Sequence, residues 1–249
     1  MSPSEFLAAY GPPSDARQVT EAQALQGQSR VPESLVEFWR DYGVGSYADG
    51  NYWLCTPDLF DATLDRMLAN VPHLRGRLTA FGYSSTGQVD LWEIDGRLWS
   101  LLLPFSYLDD ASSRRETEPV PHDLAEIYDM AGIQMPPNAV EEFLAARSIP
   151  EDIWSILFGR ASRESQEFQL GDDDASVVLS LRRYHGALSP GEIYRRRPDV
   201  VEELASSFDL VTLQEVFAEL PATVTVTRSI EVDGQQELIS EVYPIENAR

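Results

Sequence analysis

Lysine is absent from this chain of 249 residues: all 19 basic side chains are arginine, set against 41 acids for a formal charge of −22. The missing lysine excludes a GxxxxGK[ST] phosphate loop, and no GxGxxG run leads from a strand into a helix. So large a negative charge repels DNA, RNA and an anionic membrane surface, and it attracts a basic protein. A soluble acidic protein with no such partner satisfies the charge equally. The single cysteine, Cys55, rules out an intramolecular disulfide. Its three histidines, His73, His122 and His185, lack the HxxxH or HExxH spacing that sets two imidazoles on one helix face. No apolar run approaches the ~20 residues that span a bilayer. The opening MSPSEFLAAYGPP has neither a basic leader nor a long apolar stretch. These absences point to a cytoplasmic protein with no cofactor, no metal, no nucleic-acid partner and no membrane partner.

What is present is helix and strand in alternation. Ser2-Pro3-Ser4-Glu5 has the order of a capping box and opens a short helix that Gly11-Pro12-Pro13 stops. A weaker helix is expected over Thr20 to Gln26. Pro32 opens a third, with Leu35, Val36, Phe38, Trp39 and Tyr42 on one face and Glu33, Glu37, Arg40 and Asp41 on the other, ending at Gly43. The stretch FWRDYGVGSYADGNYWLC then turns through Gly43, Gly45 and Gly50 into a buried strand, Tyr52 to Cys55. Thr56-Pro57 is expected to cap the next helix. From Leu78 to Leu103 the period shortens to that of strands, with hairpin signals at Thr86-Gly87 and Asp95-Gly96.

Further on, helices are expected over Val120 to Met130, Pro137 to Ala146, Pro150 to Phe158, Ala175 to Tyr184 and Asp209 to Leu220, followed by a hairpin about Asp233-Gly234. The polar, proline-ended stretch 109–119 reads as a linker. The expected fold class is α+β in two domains, 1–108 and 120–249, each mixing helices with a small antiparallel sheet.

Catalytic motifs are weak. Cys55, at a strand end between Leu54 and Thr56, has the setting of a small buried hydrophobe. Counting from Asp172, the sixth and twelfth positions are Val177 and Arg183, so Gly171-Asp172-Asp173-Asp174 fails as a calcium loop. The run suits a helix cap ahead of Ala175 or a patch that faces a partner. Arg195-Arg196-Arg197 could clamp a phosphate, but Glu192, Asp199, Glu202 and Glu203 flank it and favour an internal charge network. Carboxylate pairs cannot be singled out among 41 acids. The chain is therefore expected not to be an enzyme.

Val31 to Leu68 resembles the GAD-related (GAD-like) domain of bacterial polymorphic-toxin and type VI secretion immunity proteins. The likeness lies in Pro32, Leu35, Phe38-Trp39, Tyr42-Gly43, Gly45, Tyr47-Ala48-Asp49-Gly50 and Tyr52-Trp53, with EFLAAYGPP as a matching start, and it extends over Ser2 to Pro104. Ser155 to Arg160 (SILFGR) and His185 to Pro198 (HGALSPGEIYRRRP) resemble the C-terminal domain of type VI DNase immunity proteins, with one glycine-proline step altered. The resemblance implies an antitoxin that occludes a cognate basic toxin, a secreted nuclease of the DNase class. Tyr47 and Asp49 between the glycines, and Asp172, Asp173 and Asp174, are the candidate partner-binding residues. The alternative is a regulatory module that holds a small ligand under the Tyr47–Trp53 loop. A hydrolase built on scattered carboxylates ranks last.

Overall fold

The computed structural model describes residues 2–110, 153–161, 169–170, 173–197, 205–232 and 235–246. Its opening helix, α1 (Pro3–Tyr10), begins as the sequence requires: Ser2 Oγ accepts from the Glu5 amide while the Glu5 carboxylate accepts from the Ser2 amide. The same reciprocal cap, Thr20 with Gln23, starts α2 (Glu21–Gly27). Helix α3 (Glu33–Tyr42) buries Leu35, Val36, Phe38 and Trp39 and ends at Gly43, while Tyr42, expected on the same face, is exposed in the helix's last turn. Thr56 does not cap a helix. A single 3-10 turn, Pro57–Leu59, follows it, and α4 (Asp61–Met67) starts from Phe60.

Nine strands form one sheet in the order β1-β2-β3-β4-β5-β6-β7-β12-β13. They are β1 (Ser14–Arg17), β2 (Val44–Tyr47), β3 (Tyr52–Leu54), β4 (Leu78–Ser84), β5 (Gln88–Glu93), β6 (Leu98–Leu102), β7 (Tyr107–Asp110), β12 (Thr223–Val232) and β13 (Gln235–Pro244). Every neighbouring pair is antiparallel except β7 with β12, which run parallel with Tyr107 beside Thr225 and Asp109 beside Thr227. The remaining strands make two small ribbons, β8 (Gln169–Leu170) with β9 (Asp173–Ser176) and β10 (Glu192–Arg196) with β11 (Phe208–Thr212).

This overturns the expected fold class. Two small antiparallel sheets do not carry the fold: one large mixed sheet takes strands from both ends of the chain, and among the described residues it outweighs the helices. The terminal hairpin does form, with Val232 paired to Gln235, but it extends the first half's sheet. Its inward residues Val224 and Val226 are fully buried there. The expected helix over Asp209 to Leu220 is β11 followed by α7 (Leu213–Ala218), which Thr212 and Glu215 cap. The expected helices over 120–130 and 137–146, and residues 111–119 of the expected linker, lie outside the described residues. Asp109 and Asp110, the linker's first two residues, belong to β7.

The sheet is covered on both faces, as alternation along β3 makes plain. Trp53 enters one core with Phe60, Leu64, Leu91, Trp99, Leu101, Leu213, Val216 and Val226. Its neighbours Tyr52 and Leu54 enter the other, with Phe6, Leu35, Phe38, Trp39 and Phe81. That second core also takes in Ile153, Trp154 and Leu157 of α5 (Ile153–Ala161), far along the chain. Trp154 Nε1 donates to Ser34 Oγ at 2.9 Å, and Arg160 grips Asp90 of β5 with two hydrogen bonds of 2.8 and 2.9 Å.

Candidate functional site

The glycine-rich corner after α3 has a steric origin. A Cβ on Gly43, whose φ is +77°, would lie 2.4 Å from the Arg17 carbonyl oxygen. A Cβ on Gly45 would lie 2.4 Å from the Ser14 carbonyl oxygen. The two glycines thus let β1 close onto β2. Between the pairs Ser14–Ser46 and Arg17–Val44, β1 carries two residues against the single Gly45, a β-bulge, and Asp15 takes a left-handed φ of +50° within it. Bulges re-aim side chains, and here the exposed Asp15 and Arg17 both reach the rim of one cavity.

That cavity, of about 180 Å³, is floored by Val44, Trp53, Leu54, Cys55, Leu59 and Tyr83 and closed at one side by Pro190 and Gly191. Trp53 is held by a bond from Nε1 to the Gly50 carbonyl at 3.2 Å, and Tyr83 Oη accepts from the Gly191 amide at 3.1 Å. Burial pushes the Cys55 thiol well above its ordinary pKa, reinforced by the charges of Asp58 and Asp90 and opposed by Arg17. Burial likewise raises the Tyr83 phenol. Both shifts disfavour the ionised forms of these groups.

Pro190 and Gly191 belong to GALSPGEIY, and that segment is bound to the corner at several points. The Tyr194 amide donates to the Ser85 carbonyl at 2.7 Å, and Ser85 bonds Asn51 through both amide and hydroxyl, at 2.7 and 2.9 Å. Arg182 of α6 (Val177–His185) donates to the Asp49 carbonyl at 2.9 Å. Tyr194 Oη donates to the Gly186 carbonyl at 2.5 Å, which folds the segment on itself. Two stretches of sequence singled out separately are therefore one construction in space.

The sequence-predicted residues fall apart by burial. Tyr47 is 5% exposed, packed edge-on against Phe6 and donating to the Gly11 carbonyl at 3.4 Å, so it is core and not surface. Asp49 is exposed at a left-handed φ of +56°. Asp172 lies outside the described residues. Asp173 and Asp174 sit on β9, and the following helix starts at Val177 rather than at Ala175, so these two are strand residues and not a helix cap. The arginine cluster does serve internal contacts: Arg195 pairs with Glu219 at 2.5 Å, and Arg197 donates to the Ser206 carbonyl. Glu219 had not been marked as the partner, since it comes close only through the β10–β11–α7 turn. Among the described residues, no three His, Cys, Asp or Glu side chains gather as a metal site.

Sequence reasoning missed Asp15 and Arg17. Nothing in Ser-Asp-Ala-Arg reads as a strand, and the usable signal was the GxG spacing of Gly43 and Gly45, which calls for a close backbone neighbour. The outer face of α3 matches expectation, with Glu33, Glu37 and Asp41 all exposed at four-residue spacing.

Residues 2–102 match the GAD-like domain, close to the span Ser2 to Pro104 over which the sequence resembles it. The whole architecture recurs in the crystal structure of Atu4351 from Agrobacterium tumefaciens, at a TM-score of 0.63 and 16% sequence identity, covering 92% of this chain and 94% of that one. At that identity the likeness is one of fold. No curated protein matches this sequence. No helix among the described residues is long and apolar enough to cross a membrane.

Proposed function

We propose that this is an immunity protein, a non-enzymatic inhibitor that binds a cognate basic toxin of the DNase class and covers its nucleic-acid-binding surface. The observation that carries the reading is the charge of −22 together with where the arginines go. Arg30, Arg40, Arg77, Arg160, Arg195 and Arg228 each pair with an acid of this same chain. Each such pair cancels one charge of either sign, and the field presented outward is that of the remaining acidic excess. Such a field speeds encounter with a basic surface and discriminates against wrong partners.

The exposed row Glu33, Glu37 and Asp41 supports the same reading. Arg40 offsets part of the like-charge repulsion along this row, whose acids stay exposed to a basic partner. The resemblance of the glycine corner and of GALSPGEIY to type VI DNase immunity proteins supplies the toxin class. The test is to co-express the adjacent gene product with and without this chain, scoring survival and co-purification. Rescue with a stable complex is expected. Equal death in both cultures with nothing co-purified overturns the reading.

A further inference from the structure

We propose that the cavity beside β1 is a binding site for a free aliphatic α-amino acid, held by its carboxylate on Arg17, its ammonium on Asp15 and its side chain against Trp53, Leu59 and Tyr83. This goes beyond the immunity reading and does not depend on it. The cavity combines an apolar floor with one charge of each sign at its rim, and all of these groups line it. Among the described residues the Arg17 side chain forms no hydrogen bond or salt bridge, whereas most described arginines are engaged with their own chain. A guanidinium in a chain with 41 acids is readily paired, so one left uncommitted over an apolar floor is available to a ligand carboxylate, whose geometry matches its fork.

Charge selects the zwitterion. A simple carboxylate would meet the repulsion of the whole molecule and of Asp15 at the rim, and a simple amine would meet Arg17. A molecule carrying both groups avoids the long-range penalty and satisfies both rim charges. Size selects an aliphatic side chain: 180 Å³ is the room of about six water molecules, enough for a leucine-sized body. The bulge supplies the geometry, because it turns Asp15 and Arg17 together onto the cavity rim while Gly45 gives them the clearance to approach.

The experiment is isothermal titration of the full chain, without any protein partner, using L-leucine as probe and 4-methylpentanoate and 3-methylbutylamine as its two half-charged analogues. Saturable one-to-one binding of L-leucine is expected, with each analogue at least about tenfold weaker. Arg17→Gln and Asp15→Asn, both at exposed positions, are each expected to weaken L-leucine binding by a similar factor while leaving the thermal midpoint in place. Asn is also tolerated at the left-handed φ of position 15. No saturable binding, binding of 4-methylpentanoate as tight as that of L-leucine, or unchanged affinity in both variants overturns the proposal.

Discussion

A methyl group at position 45 would compete for space with the Ser14 carbonyl oxygen, 2.4 Å away, and with the Ala16 Cα at 3.2 Å. Neither obstacle is the free end of a flexible side chain, so Gly45→Ala has to push β1 off the sheet. A loss of about 1–3 kcal/mol is expected from urea unfolding, the usual cost of overpacking. Gly159 makes the opposite case. It is exposed within α5, with nothing within 4 Å of a built Cβ. Gly159→Ala is expected to stabilise by about 0.5–1 kcal/mol in the same assay. Two glycines in two motif stretches are thus predicted to differ in sign, a distinction that comes from their neighbours and not from their residue type.

Among the elements, α5 has the most to answer for, because it is remote in sequence and central in packing. Its Trp154 is 3% exposed against Phe6 and Phe38, with ring centroids 5.7 and 5.1 Å apart. Its Arg160 neutralises an Asp90 that is only 1% exposed. Asp90 in turn holds Arg160 protonated and raises its pKa. Arg160→Met leaves that carboxylate buried without a counter-charge, and a loss of about 2–4 kcal/mol is expected by urea unfolding, toward the lower part of the range for buried pairs because Arg160 is itself partly exposed. Adding Asp90→Asn should recover part of the loss. If the double variant is no more stable than Arg160→Met, the charge is not what is costly.

The cap of α7 gives a pH-dependent case. Hydrogen bonds from the Thr212 amide and hydroxyl pull the Glu215 carboxyl below its ordinary pKa of 4.5. A depressed folded-state pKa contributes stability that is present above the ordinary value and lost as pH falls through the folded one. The stability gap between the wild-type chain and Glu215→Gln is therefore expected to be open at neutral pH and to close in acid below that value.

For the whole molecule, the parallel pairing of β7 with β12 matters most, because it joins the two ends of the chain in one sheet. Asn70 Nδ2 donates to the Pro244 carbonyl at 2.9 Å, and Arg66 Nη1 to the Phe217 carbonyl at 3.3 Å, so α4 is tied to α7 and the turn after α4 to the terminal hairpin. A fragment ending at residue 119 would expose the β7 edge and the core that Val224, Val226, Leu213 and Val216 cover. It is expected to be aggregated or unfolded by circular dichroism and gel filtration, and a soluble fragment with a cooperative melt would contradict this. At the same scale, association with a basic partner should slow steeply between low and physiological salt, where charges are screened over ~8 Å.

Local rules carried the reading of this chain wherever a signal was complete within a few residues. The Ser2–Glu5 cap, the stripe of α3, the Gly43 stop and the turns at Gly87 and Gly96 were all legible, since each is a backbone or periodicity requirement met by adjacent side chains. The acidic character and the absence of a phosphate loop were legible for the same reason, as they follow from composition. Tertiary structure alone decided the rest. It paired the last hairpin with β7, turned Asp209 to Thr212 into a strand by giving them β10 as a partner, and buried Tyr47 against Phe6. It also brought Asp15 and Arg17 over the cavity. These outcomes depend on which remote backbone offers its unpaired amides and which apolar face needs covering, and no window of neighbouring residues contains that information.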